Sequence, residues 1–281
     1  MPELPRVPLG RWIDSFVDLL RDNLPWLFTG IRTFFATLLD AVEWLVHWPH
    51  PLVFIVLAAV LVFWLRSWQF SLFTVLSFGL IWSMDHWDVT MDTLALILVA
   101  TIVSVAIALP VGIAAARNRT VSQLVRPVLD FMQTLPVFVY LIPAVFFFGI
   151  GKVPGLIATL VFAIPPGVRL TELGIRQVDK EVVEAADAFG STRNQTLVRV
   201  QVPLAMASIM QGVNQVIMLA LSMVVVAGMI GAGGLGGEVF RGITTLNLPL
   251  GFETGLAVVI LAIFLDRVTS SFRDRAAAAE A

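Results

Sequence analysis

The chain has 281 residues, of which 58% are hydrophobic and 14% charged, and its mean hydropathy is +0.90. Those proportions exclude an ordinary soluble domain and point to a membrane protein. A net charge of −2 gives no basis for nucleic-acid binding, and the absence of cysteine excludes a disulfide framework and any thiolate metal or redox site.

The chain opens MPELPRVPLGRW, without the basic start, apolar centre and small-residue cleavage site of a signal peptide. Over 11–46, apolar residues such as Trp12, Phe16, Leu20, Leu27, Ile31, Phe35, Leu38 and Val42 recur at helical spacing, and the charged residues fall mostly elsewhere. This predicts an amphipathic helix lying in the membrane interface, broken at Pro25.

Two apolar runs follow, 52–65 and 68–82, each shorter than the roughly 20 residues of a perpendicular span. Read as a tight hairpin, they keep Arg66 out of mid-bilayer, where it would cost about 2.5–3.5 kcal/mol. Read as one long tilted helix, they move the N-terminus to the other side. All eight tryptophans lie at or before Trp87, and those at 48, 64, 68, 82 and 87 mark the ends of these runs as an aromatic belt would.

Further spans are predicted at about 90–116, 129–149, 153–167, 204–230 and 250–265, six or seven in all, an all-α polytopic fold. Lysine and arginine set the orientation. Arg117, Arg119, Arg126, Arg169, Arg176, Lys180, Arg193, Arg199, Arg267, Arg273 and Arg275 fall on one side, against Lys152 and Arg241 on the other. The polar stretch 179–203 is therefore expected in the cytoplasm.

That stretch, DKEVVEAADAFGSTRNQTLVRVQVP, is built like two short helices. Asp179 suits an N-cap, Gly190 a positive-φ stop, and Thr192 with Gln195 a capping box. Small side chains at Ala185, Ala186 and Ala188 leave a bare face beside Glu184 that another protein's backbone could approach.

Elsewhere chemistry is sparse. Gly231, Gly233, Gly234 and Gly236 satisfy G-x-G-x-x-G, but they follow a long apolar helix rather than a strand, so they predict a sharp turn and close packing at the outer mouth of a pathway, not a dinucleotide site. There is no Walker A loop, and His47, His50 and His86 lack metal-ligand spacing. Gln211, Asn214, Gln215 and Ser222 lie close to one face of the 204–230 span, which fits either a translocation path or interhelical hydrogen bonding. No charge falls mid-span between 90 and 265, which argues against a proton- or ion-coupled carrier.

Glu184-Ala185-Ala186, with Gly190 and Pro203 at their spacings, resembles the signature loop of the membrane subunits of binding-protein-dependent ABC importers. Residues 129–155 and 201–243 resemble the permeases of that family's quaternary-amine systems, for glycine betaine, proline betaine or choline. The resemblance covers roughly residues 90–268. It implies a type I-like transmembrane domain over 88–270 with a coupling loop at 168–203; the residues before it are read as an interfacial region at 1–50 and a short transmembrane hairpin at 51–87, and those after it as a cytoplasmic tail at 271–281.

It also implies an inner-membrane permease without catalysis of its own, working as a homodimer with two ATPase subunits that hold ATP and magnesium. Glu184, Ala185, Ala186, Phe189 and Gly190 would touch the ATPase, whose closure would rock the bundle between inward- and outward-facing packings. No binding domain follows Ala281, so a separate extracytoplasmic binding protein is expected. An importer of another small solute, such as an amino acid, is the alternative, followed by a gradient-driven carrier.

Overall fold

The computed structural model describes residues 9–280, with side chains from 10 to 272. The first eight residues and the tail side chains from Arg273 onward, read above as free of a signal peptide and as cytoplasmic, fall outside them.

The described residues form helices only. In order they are α1 (Leu9–Asn23), α2 (Pro25–His47), α3 (Pro51–Leu65), α4 (Trp68–Ser83), α5 (Trp87–Arg117), α6 (Arg119–Thr134), α7 (Val137–Phe148), α8 (Lys152–Gln177), α9 (Lys180–Ala188) and α10 (Arg193–Thr196). A π-helical turn (Leu197–Gln201) leads through α11 (Val202–Leu204) to α12 (Met206–Gly228), α13 (Gly234–Thr244) and α14 (Leu248–Glu280). Four helices are long and apolar enough to cross a membrane: α5, α8, α12, and α14 as far as Phe272.

The centre is the trio α5, α8 and α12. Helices α5 and α8 run parallel, with Asp92 beside Lys152 at one end and Gly112 against Thr171 near the other. Helix α12 runs antiparallel to α8, so that Gly155 meets Ala227 and Gly174 meets Ser208. Apolar helices gain little from one another's oiliness in lipid, so close packing must hold them, and small residues allow it. A methyl added at Gly167 would lie 2.9 Å from the Ala108 methyl, and one at Gly212 would lie 3.4 Å from the Gly167 Cα. Met91, Ile97, Leu156, Ala220 and Leu261 close the core.

Helices α3 and α4 form an antiparallel hairpin. Phe54 packs on Phe78, and the Ser71 hydroxyl donates to the Ala59 carbonyl at 2.8 Å. His50 caps α3, and Ser67 caps α4 directly after the turn. Arg66 sits at the tip and donates to Ser270 of α14 at 3.0 Å, away from the hairpin's apolar middle. Trp64 and Trp68 are exposed beside it, while Trp48 and Trp82 are exposed at the opposite end and Trp87 is buried.

Helix α2 lies across the Lys152 end of the bundle. Phe28 stacks on Phe147, centroids 4.4 Å apart, and Glu43 accepts a 2.7 Å bond from Lys152. Asp92 stands 3.6 Å from the same ammonium and 3.8 Å from His47. Trp26, Phe34, Trp44 and Trp48 on the far side of α2 are exposed, and the helix breaks from α1 at Leu24–Pro25. With the hairpin, this places the end of α2 and the loop around Glu184 at opposite ends of the molecule.

Three features differ from the sequence reading. The span expected at 129–149 is broken: α6 is amphipathic, and it meets α7 at 98°. Pro136 excludes helical geometry at Leu135, which is extended at φ −67°, ψ 137°. The span expected to stop at Gly167 continues to Gln177, because Pro165 and Pro166 are absorbed and Val168, Thr171 and Ile175 keep an inward face. After Gly231 the expected sharp turn and close packing are present, and a helix not expected there, α13, follows, whose glycines let it pack directly on α12 and so override their poor helix propensity.

This last contact is the tightest. A methyl at Gly236 would fall 2.1 Å from the Val224 carbonyl oxygen, against backbone that cannot rotate away. Gly236→Ala should therefore cost about 1–3 kcal/mol and lower the thermal unfolding midpoint of the detergent-purified protein. Gly79→Ala, with no atom within 4 Å of the new methyl, should leave it unchanged or slightly raised.

Candidate functional site: the polar elbow between α8 and α12

The elbow is shaped by its own capping groups. The Asp179 carboxylate accepts from the Glu181 amide at 2.9 Å and starts α9. Gly190, at φ +82°, ends it, letting the Ser191 amide reach back to the Ala186 carbonyl at 3.1 Å. Thr192 and Gln195 form a reciprocal capping box that starts α10. The Thr196 hydroxyl donates to Asp187 at 3.1 Å and ties α10 to α9.

Two contacts hold the elbow to the bundle. Arg117, the last residue of α5, donates to the Asn194 side chain at 2.8 Å. Leu197 is buried with Ile175, Ala205 and Ile209. Between them opens a cleft of about 630 Å³, lined by residues that include Arg117, Arg176, Glu184, Asp187 and Gln201.

The outer surface of α9 is bare. No residue of the helix is buried; Glu184, Ala185 and Ala188 are exposed and Ala186 half-buried. Phe189 follows with 92% of its surface exposed. A phenyl ring left exposed at the tip of a well-capped polar elbow forgoes about 1.5–3 kcal/mol of burial, which a partner surface could recover.

Above the elbow lies a cluster that sequence reading missed. The Glu172 side chain, 6% exposed, accepts from the Ser122 hydroxyl at 2.8 Å and from Arg126 at 3.1 Å, both on α6, and pairs with Arg176 at 3.1 Å. Arg176 also donates to the Ala115 carbonyl of α5 at 2.8 Å, and Arg169 pairs with Asp130. The available signal was the four-residue spacing of Glu172 with Arg176, on a helix whose apolar face continues past Gly167.

The polar stripe of α12 divides. Asn214 donates to Asp266 of α14 at 3.1 Å, an interhelical bond. Gln215 and Ser222 stay on an exposed face with Met218, and the Ser222 hydroxyl folds back onto the Met218 carbonyl. Gly231, Gly233 and Gly234 all have positive φ at the Lys152 end, where they turn the chain from α12 into α13 between two helices. Among the described residues no group of three or more His, Asp or Glu side chains is arranged to hold a metal ion.

A model of the family described as "Binding-protein-dependent transport system inner membrane component" matches residues 108–277. The glycine betaine/carnitine transport permease protein GbuB of Listeria monocytogenes serotype 1/2a (strain 10403S) is 47% identical over 98% of this chain and 99% of its own. The glycine betaine transport system permease protein OpuAB of Bacillus subtilis (strain 168) is 45% identical over 97% of both chains. The glycine betaine/proline betaine transport system permease protein ProW of Escherichia coli (strain K12) is 44% identical over 94% of this chain and 75% of its own. Among solved structures, a chain of the inward-facing MetNI methionine ABC transporter (CY5 native crystal form) aligns with a TM-score of 0.60 at 21% identity, covering 66% of this chain and 94% of that one. At that identity the likeness shows the fold alone.

The elbow's geometry can be tested by itself. Thr192→Ala removes the capping box and should destabilise the start of α10 by about 1 kcal/mol. Amide hydrogen exchange at Arg193–Thr196 should then speed up about fivefold, with α12 unchanged.

Proposed function

On the premise that the chain belongs to the family of binding-protein-dependent transport system inner membrane components, we propose that it is the permease of an ATP-driven importer of quaternary amines. Membership makes it a multi-pass inner-membrane subunit without catalysis of its own, served by a separate ATPase and a separate solute-binding protein. The finer reading is ours. Arginine and lysine crowd the Glu184 end of the bundle, which supports a cytoplasmic elbow. There Glu184, Ala185, Ala186, Phe189 and Gly190 dock into the ATPase, which alone holds nucleotide and magnesium.

The observation that carries this is the exposed Phe189 beside the bare, small-residue face of α9. Helices α5, α8 and α12 converge on the elbow's two anchors, so a push on α9 reaches the centre of the bundle as a rigid-body displacement. Two copies of the chain with two ATPases would enclose the pathway, lined in part by the exposed face of α12 at Gln215, Met218 and Ser222. With Asn214 committed to Asp266, the role left to it is bracing α12 rather than lining. Gly231, Gly233, Gly234 and Gly236 shape the outer mouth.

Quaternary amines are the solute class because relatives at 44–47% identity carry names for glycine betaine, carnitine and proline betaine transport. An uncharged, soft lining suits a weakly hydrated trimethylammonium group, which needs no buried counter-charge along a low-affinity path. Tight recognition through cation–π contacts is left to the binding protein.

In proteoliposomes holding the permease, its ATPase and its binding protein, glycine betaine uptake should require ATP, stop with vanadate, and be competed by excess proline betaine or choline. Competition by an amino acid such as methionine, with none from any quaternary amine, would reverse the solute assignment. Phe189→Ala should weaken ATPase association roughly 10- to 100-fold. Gly190→Val and Glu184→Lys should release the ATPase or uncouple it while the chain still inserts; wild-type transport by all three would overturn the docking assignment.

A further inference from the structure

We propose that Glu172 is a positioning residue for transport: it clamps α6 to the end of α8, so that α6 moves with the elbow rather than with the bilayer around it. The inference rests on the docking reading above and adds a residue that reading does not contain.

Three observations carry it. First, Glu172 lies on the last turns of α8, which ends five residues on at Gln177 before the chain leaves toward α9 through Val178 and Asp179. One oxygen of its carboxylate gathers Ser122 and Arg126 of α6 and Arg176 of α8, and Arg176 reaches on to the α5 backbone. A carboxylate at 6% exposure is tolerated only if compensated, so the three helices are held in one arrangement. Second, α6 needs such a clamp. It is amphipathic, and Leu124, Val128 and Phe131 face away from the protein. Its apolar contact with the bundle is one small cluster around Leu129, Ala108 and Val168.

Third, α6 has somewhere to send the motion. It ends at the 98° elbow before α7, and the Tyr140 hydroxyl of α7 donates back to the Met132 carbonyl, closing that corner. Helix α7 carries Phe147 and Phe148 up to Phe28 of α2 at the Lys152 end. The clamp is the point where displacement of α8 is handed to the bent α6–α7 pair, whose second arm runs to the opposite end of the protein. Without it, α6 is left to the exposed Arg169–Asp130 pair and the Leu129 cluster, which tie it less firmly while α8 moves.

The test uses the full complex in proteoliposomes. Glu172→Gln keeps an acceptor for Ser122 but removes the charge that holds the two arginines. Expected is ATPase association and basal hydrolysis within twofold of wild type, with at least a tenfold rise in ATP hydrolysed per solute imported. A purely structural brace would lower assembly, hydrolysis and uptake together and leave that ratio unchanged, which would overturn the proposal.

A second measurement does not depend on the variant folding. The chain has no cysteine, so spin labels at Leu124→Cys on α6 and Leu173→Cys on α8, in a doubly labelled chain diluted with excess unlabelled chain, report one intrachain distance. In the otherwise wild-type complex it should be the same without nucleotide and after trapping with ATP and vanadate; a change between the two states would sink the clamp. If Phe189→Ala keeps its ATPase, the docking reading falls. If Phe189→Ala releases it and Glu172→Gln imports at the wild-type ratio, only the clamp falls.

Discussion

Everything in this molecule depends on how closely three helices can approach in a solvent that does not push them together. Leucine gains nothing by leaving lipid for another leucine, so α5, α8 and α12 are held by dispersion across short distances. Glycine and alanine at 108, 112, 155, 167, 212 and 227 set those distances. Such a seam is well suited to a moving part, because it is dense without being strongly directional. It can be disengaged and re-formed in a second packing at modest cost, which a core knitted by hydrogen bonds could not.

The polar contacts are placed where directionality is wanted, at the two ends. Glu43, Asp92 and Lys152 fix α2 over the starts of α5 and α8, and Glu172 with its arginines fixes α6 to their ends. Between these levels no interhelical ion pair is found among the described residues, and Asn214 with Asp266 provides the principal polar link. A bundle stapled at both ends and greased in the middle transmits rotation of whole helices better than local bending.

What the sequence shows most legibly is whatever is decided within a few residues. Asp179, Gly190, Thr192 and Gln195 each act on backbone groups at most four positions away, and the structure contains every one of those caps. The long spans were legible too, since hydropathy needs no partner. The misreadings arise where distant atoms decide. An apolar run from 129 to 149 carries no sign of its right angle except Pro136, and prolines sit inside α5 and α8 without bending them so sharply. Glu172 reads as an ordinary loop acid until folding brings Ser122 and Arg126 beside it, some fifty residues away. Asn214 looked like Gln215 and Ser222 because a helical wheel does not say which neighbour stands against which flank.

The α3–α4 hairpin has a consequence beyond its own packing. At 15 and 16 residues its arms reach only about 22–24 Å, against a hydrocarbon layer of roughly 30 Å. Set across a membrane, with Trp64 and Trp68 at one rim and Trp48 and Trp82 at the other drawn to the headgroup level, such a hairpin would pull the surrounding leaflets toward each other on that flank. The annulus would then be uneven in depth, thick beside α5 and α14 and pinched beside the hairpin, and the elastic cost of that pinch would favour neighbours that are equally short.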